Sequence, residues 1–249
     1  MQTITEKTVR EIATENPASI RVFESLGIDY CCGGRRSLSD ACASAGIDTE
    51  RLLHLVAEAS HDSEPPVSGE WVEKPLRDLI AHVVEIHHGY VRRETPRIDT
   101  LLSKVTAKHG PAHPEVIRIE SLFRAIGQEL STHMLKEEQV LFPYVERMEH
   151  AILNGEPAPP AFFGSVTRPI ANMVAEHDDA GALLAQIREL SSGYNAPADA
   201  CPTFLGLYKA LDEFERDLHH HIHLENNILF PRAVEMERAQ TSGEPNVNR

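Results

Sequence analysis

The chain lacks any run of residues long and apolar enough to span a membrane. Nothing in it approaches the roughly 18 consecutive apolar residues that a membrane helix needs. No apolar run follows Met1-Gln2-Thr3-Ile4-Thr5-Glu6-Lys7, so a secretory leader is not expected. Basic residues are in deficit, with 24 Lys and Arg against 38 Asp and Glu and a formal net charge of −14. That balance disfavours nucleic acid, whose binding rests on cations that neutralise phosphates. Cysteine is scarce, at positions 31, 32, 42 and 201. Cys31 and Cys32 are adjacent, and a relaxed disulfide needs Cα atoms about 4.4–6.8 Å apart, so no disulfide framework is expected. Free thiols in a reducing, cytoplasmic compartment are the expectation. Strong β-type alternation is absent throughout, and no strands are expected.

What is present suffices for a fold. Of 249 residues, 41% are hydrophobic, enough for one large domain or a medium domain with a small one. Short helices are expected to residue 60. One starts at Asn16-Pro17, shows Ile20, Phe23 and Leu26 on one face, and stops at Gly27. Two more fit 38–45 and 49–59. Between the first two lies the loop Asp29-Tyr30-Cys31-Cys32-Gly33-Gly34-Arg35-Arg36. A domain with so few large apolar groups is marginal and could need a second surface, such as another subunit in a homodimer. Residues 61–74 read as a linker, 75–240 as a helical domain and 241–249 as a disordered tail. The helical domain divides into helices over 75–104, 115–142, 169–191 and 202–230, the second and fourth ended by Pro143 and Pro231. The expected fold is all-α: an antiparallel four-helix bundle preceded by a small helical domain.

A repeat runs through this bundle. Residues 133–143 read His-Met-Leu-Lys-Glu-Glu-Gln-Val-Leu-Phe-Pro, and residues 221–231 read His-Ile-His-Leu-Glu-Asn-Asn-Ile-Leu-Phe-Pro. Both fit His-x-x-x-Glu-x-x-[Val/Ile]-Leu-Phe-Pro, offset by 88 residues. The His-x-x-x-Glu part is a weak signal, since His54 and Glu58 share it. The common Leu-Phe-Pro tail in the same register points to two copies of one helical hairpin. Each copy needs a first helix, and His88 and His177 stand at a similar offset of 89. Chain lengths of 45 residues from His88 to His133 and 44 from His177 to His221 allow an outward and a return run to the same depth.

Residues four apart share a helix face, so His133 and Glu137 point together, as do His221 and Glu225. Helical bundles build metal sites from inward side chains on facing helices. Imidazole and carboxylate suit iron and related metals, and a carboxylate can bridge two of them. Four His and two Glu make a dinuclear shell with an open position on each metal, which suits small-molecule chemistry. Of the run His219-His220-His221-His223, only His221 is in register, and the others are expected to face solvent or outer groups.

These residues resemble the hemerythrin-like domain, and the whole chain resembles the iron–sulfur cluster repair di-iron proteins of the ScdA type. Asp29-Tyr30-Cys31-Cys32-Gly33-Gly34, Ser131-Thr132-His133-Met134-Leu135-Lys136-Glu137-Glu138, Glu176-His177-Asp178-Asp179-Ala180-Gly181 and Leu224-Glu225-Asn226-Asn227-Ile228-Leu229-Phe230-Pro231 carry the likeness, which covers nearly all of residues 8–238. It implies two non-haem iron ions, oxo- or hydroxo-bridged, on His88, His133, His177 and His221, with Glu137 and Glu225 bridging. It adds His109 as a candidate for an open iron position. It also draws attention to Glu129 and Glu176 as residues that orient ligands or line a polar path. Oxygen-carrying hemerythrins place a second His four residues beyond the third-helix ligand, where this chain has Gly181, and space their last His and Asp by five rather than four. Reversible O₂ carriage is therefore less expected, as is carboxylate-rich ferritin-type iron storage.

Cys31 and Cys32 precede Arg35 and Arg36, and positive neighbours raise the thiolate fraction. With two glycines to turn the loop and leave the thiols accessible, a redox or iron-transfer role is expected. Cys42 and Cys201 read as small helix-packing residues. The resemblance implies a stress-response protein that repairs iron–sulfur clusters after oxidative or nitrosative damage, with NO bound or reduced at an open iron position. Its partners would be damaged iron–sulfur proteins or a cluster-assembly scaffold, with NO and O₂ as small molecules. The alternatives are an O₂ or NO sensor or carrier without repair activity, and an interaction module in which iron is only structural.

Overall fold

The computed structural model describes residues 6–31, 33–62 and 69–242. Among the described residues eleven α-helices run in order: α1 Val9–Glu15, α2 Ala18–Ser25, α3 Leu38–Ala45, α4 Thr49–Asp62, α5 Leu76–His82, α6 Gly89–His109, α7 Glu115–Lys136, α8 Phe142–Leu153, α9 Thr167–Leu190, α10 Pro202–Leu224 and α11 Phe230–Ser242. The described residues contain no strand, only an isolated bridge between Thr8 and Ser37. The fold is all-α, with a four-helix bundle behind a helical N-terminal region, as expected. No helix among the described residues is long and apolar enough to cross a membrane.

Three π turns interrupt the long rods: Val83–His88 between α5 and α6, Glu137–Leu141 between α7 and α8, and Glu225–Leu229 between α10 and α11. They correct the expectation that Pro143 and Pro231 end their helices. The N–H of Phe142 reaches back five residues to the Glu137 carbonyl, and that of Phe230 to Glu225. Each proline then falls in the first turn of a new α-helix, where its missing N–H and fixed φ are tolerated. The Leu-Phe-Pro tail thus marks a change of helical register, not a stop.

The chain divides into two compact units, Met1–Leu79 with His219–Arg249, and Ile80–Leu218. In the second, α6 packs on α7 and α7 on α9. Buried apolar residues recur at helical spacing: Ile98, Leu102 and Val105 on α6, Ile119, Phe123, Ile126 and Leu130 on α7, and Leu207, Leu211 and Phe214 on α10. Phe123 and Phe214 meet edge to face at 5.2 Å. Arg188 grips the buried Glu215 with two hydrogen bonds of 2.7 and 2.9 Å, so that carboxylate is not buried without a counter-charge.

In the first unit, α2 packs on α4. Helix α1, which the periodicity does not announce, starts on a capping box between Thr8 and Glu11. The loop after α2 is held by Asp29, whose carboxylate accepts from the Cys31 and Gly33 N–H groups. A Cβ on Gly34 would overlap the Tyr30 carbonyl oxygen, so this turn admits only glycine there. Tyr30 is buried and donates from its hydroxyl to Glu24 at 2.8 Å.

Candidate metal centre

The ligand-bearing helices place six side chains in the buried interior: His88, His133, Glu137, His177, His221 and Glu225. Both carboxylates are fully buried, at 0% exposure. His88 Nε2 lies 3.4 Å from Glu137 Oε2, and His133 Nε2 lies 3.2 Å from Glu137 Oε1. His177 Nε2 is 3.0 Å from His133 Nε2, and His221 Nε2 is 3.1 Å from Glu225 Oε1. Two groups of donor atoms gather, each within 4.8 Å of one another: His88, Glu137, His221 and Glu225, and His133, Glu137, His177 and Glu225. Glu137 and Glu225 belong to both groups.

Outer groups fix the rings. His88 Nδ1 donates to Glu138 at 2.6 Å, leaving Nε2 to face Glu137. His133 Nδ1 donates to Glu176 at 2.8 Å. Anchoring Nδ1 in this way sets the tautomer that presents Nε2 to a metal. Each outer carboxylate is also tied to a cation, Glu138 to Arg92 and Glu176 to Lys136. Burial raises the Glu138 carboxyl, but the His88 and Arg92 hydrogen bonds outweigh it and hold the pKa below the usual value. Burial likewise raises the Glu176 carboxyl, but Lys136 and His133 outweigh it and hold the pKa below the usual value.

The donor set fits bound cations. Two fully buried carboxylates are costly without positive charge nearby, and imidazole with carboxylate is a donor chemistry that iron accepts. The π turns are part of the construction: Glu137 and Glu225 each open one, and His88 closes one.

Other expected site residues fall elsewhere. His109 ends α6, 21 residues beyond His88 along one helix, a separation of about 31 Å at 1.5 Å per residue. It cannot share a metal with His88; its Nε2 instead lies 3.2 Å from Cys201 Sγ. Glu129 is exposed and makes no hydrogen bond to a ligand histidine among the described residues, whereas Glu176 does. Glu138, which holds the His88 ring, is a residue that spacing did not single out, although its place beside Glu137 was a usable signal. His223, expected to face solvent or outer groups, is fully buried. His87 is buried too and bonds Asp217 at 3.1 Å, so His88 is the one of the pair that faces Glu137.

The cysteine loop also differs from expectation. Cys31 is 4% exposed, and the charged group at its thiol is the Asp29 carboxylate, at 3.4 Å. The Arg36 guanidinium is turned to the Asp40 carbonyl and the Ser44 hydroxyl. Cys32 lies outside the described residues.

The Hemerythrin HHE cation binding domain profile matches residues 79–233, and a Domain of Unknown function (DUF542) profile matches residues 5–60. The chain is 35% identical to the iron-sulfur cluster repair protein YtfE of Musicola paradisiaca, over 93% of this chain and 98% of that one. It is 33% identical to the YtfE protein of Pectobacterium atrosepticum over 93% and 98% of the two chains. Against that of Citrobacter koseri the identity is 34% over 90% and 94%. With its buried His and Glu cluster standing inside the matched region, the chain belongs to the hemerythrin HHE family and, over nearly its whole length, to the family of these iron–sulfur cluster repair proteins.

Proposed function

We propose that this protein restores iron–sulfur clusters damaged by oxidative or nitrosative stress, from a di-iron centre in its bundle. The observation that carries the reading is the sharing of Glu137 and Glu225 between two buried donor groups. Shared carboxylates are what two adjacent metal ions need. One ion would rest on His88 and His221, the other on His133 and His177, with both glutamates bridging and an oxo or hydroxo group completing the pair. Bound iron supplies ligand exchange and redox chemistry at its open positions, including the binding or reduction of NO. Glu138 and Glu176 keep the His88 and His133 rings aimed at the metal.

The parts divide as a small domain over residues 1–60 and a metal-binding bundle over 75–240, in a cytoplasmic protein whose partners are damaged iron–sulfur proteins or a cluster-assembly scaffold. Cys31 and Cys32 serve as groups that accept iron or electrons on the way to the partner. The small domain's marginal core leaves room for a homodimer.

Iron-loaded protein mixed with a cluster-depleted iron–sulfur enzyme and sulfide tests the reading. Recovery of that enzyme's activity, with matching loss of iron from the donor, is expected. Iron that stays in place while the protein forms a reversible O₂ or NO adduct would support the carrier alternative instead. Cys31→Ser and Cys32→Ser variants are better probes of the thiols than removal of residues 1–60, because removal would also strip the covering of His223 by Tyr30.

A further inference from the structure

The end of α6 and the start of α10 hold a second cluster of titratable groups. Cys201 caps α10: its carbonyl accepts from the Phe204 and Leu205 N–H groups. Its thiol is half-buried and sits against the Thr203 and Phe204 N–H groups. His109, buried at 9% exposure, places Nε2 3.2 Å from Cys201 Sγ. The His109 ring is tilted against Phe204 at 5.2 Å, which fixes its plane. Beside it His113 bonds both Asp199 oxygens at 3.1 Å and Glu115 at 3.1 Å. A partly exposed thiol with a base in hydrogen-bond reach, on a helix N-terminus, is the arrangement that reactive cysteines require.

We propose that Cys201 and His109 form a thiolate–imidazolium pair, remote from the metal ligands, that is a peroxide-reactive modification site of this protein. The thiol proton passes from Sγ to His109 Nε2. The thiolate attacks one oxygen of hydrogen peroxide, and an S–O bond forms as the O–O bond breaks. The departing hydroxide takes the proton from His109 and leaves as water. Sulfur is oxidised by two electrons to a sulfenic acid, and the peroxide is reduced by two.

The electrostatics agree with the geometry. The Phe204 N–H, then His109, lower the Cys201 pKa to about 7. The titratable group that touches it is His109 on α6; beyond that ring stands His113, 6.2 Å away and bonded to Glu115 and Asp199. Asp199, with Glu115, raises the His113 pKa against the effect of burial, and that ring lies 6.2 Å from the His109 ring. The thiolate share near neutral pH then exceeds that of an ordinary thiol. Nucleophilicity falls with pKa, so the net gain over an ordinary thiol is about three- to fivefold.

The experiment is alkylation of the full-length, iron-loaded protein by iodoacetamide across pH 5.5–9.5 (roughly the span about the ordinary thiol value), with each cysteine followed by peptide mass spectrometry. The Cys201 rate should rise with a midpoint near 7. In His109→Gln, which keeps a hydrogen-bonding side chain but cannot take the proton, the midpoint should move up by about one unit. One equivalent of hydrogen peroxide followed by dimedone should tag Cys201, about fivefold more in wild type than in the variant, with iron content equal. A wild-type midpoint at the ordinary thiol value, or a profile that His109→Gln leaves in place, overturns the proposal. The wild-type profile decides the matter by itself if the variant does not fold.

Discussion

Leu135 and His223 occupy the same place in the two copies of the repeat, two residues past the ligands His133 and His221, yet Leu135 is 50% exposed and His223 is fully buried. The copies share a register and an inward face of donor groups, but their outer faces have different work. In the first copy the outer groups are charged: Glu138 accepts from His88 and from Arg92, and neighbouring Lys136 binds Glu176. In the second, the contacts made by His223, which stands in the place of Leu135, are neutral. Tyr30 meets the His223 ring at 5.5 Å, Asn227 donates to His223 Nδ1 at 2.8 Å, and Asn227 is also 3.1 Å from the Tyr30 carbonyl. Burial, helped by His220, pushes the His223 pKa down to about 3, so the ring stays neutral under the aromatic. Ion-paired carboxylates stand behind His88 and His133. The second copy carries the packing surface for the cysteine loop.

Removing an inner carboxylate should have the largest effect, and it should not distinguish the copies. Glu137→Leu and Glu225→Leu each take away a group common to both donor sets. Each variant should hold at most about half the wild-type iron, and metal analysis with Mössbauer spectroscopy checks this. Chelation of the wild type should likewise lower its melting temperature, since a metal at a hundredfold excess over Kd adds about 2.7 kcal/mol.

The next effect separates the copies. Tyr30→Ala removes a buried ring and should destabilise the unit of α1–α4 and α11 by about 3–5 kcal/mol. Hydrogen exchange should show protection lost over residues 6–62 and 219–242 and kept over 80–218, if the two units open independently. Glu138→Gln should be milder and specific to the first copy. It keeps the shape but loses the charge that holds the His88 Nδ1 proton, so metal affinity should fall about 10–100-fold with melting of the metal-free protein unchanged. Leu135→Ser should matter least, within about 0.5 kcal/mol by thermal unfolding, although its counterpart His223 is buried. A large loss there would mean that the outer faces are less different than their exposure indicates.

Much of the metal centre was legible because it rests on spacing. His133 and Glu137, like His221 and Glu225, are set four apart by the helix itself, and the 88-residue offset placed the copies in common register. Glu138 and Arg92 were not legible, because the bond between them joins residues 46 apart whose meeting depends on how α6 lies on α7. The prolines misled for a local reason: Pro143 and Pro231 are stops for an α-helix, and only the preceding π turns make them admissible. Cys31 misled through charge. Arg35 and Arg36 are near it in sequence, but Asp29 is the neighbour that the turn delivers.

The sequence alone determined the all-α class and pointed to the six side chains whose donor atoms gather in the bundle, since helical periodicity fixes which side chains leave a rod together. Tertiary structure alone decided what stands behind those side chains. It also moved His109 to the far end of the bundle beside Cys201, and buried His223 under Tyr30. Those outcomes depend on how rods approach one another, and the free energy of that packing is spread over contacts between residues far apart in the chain.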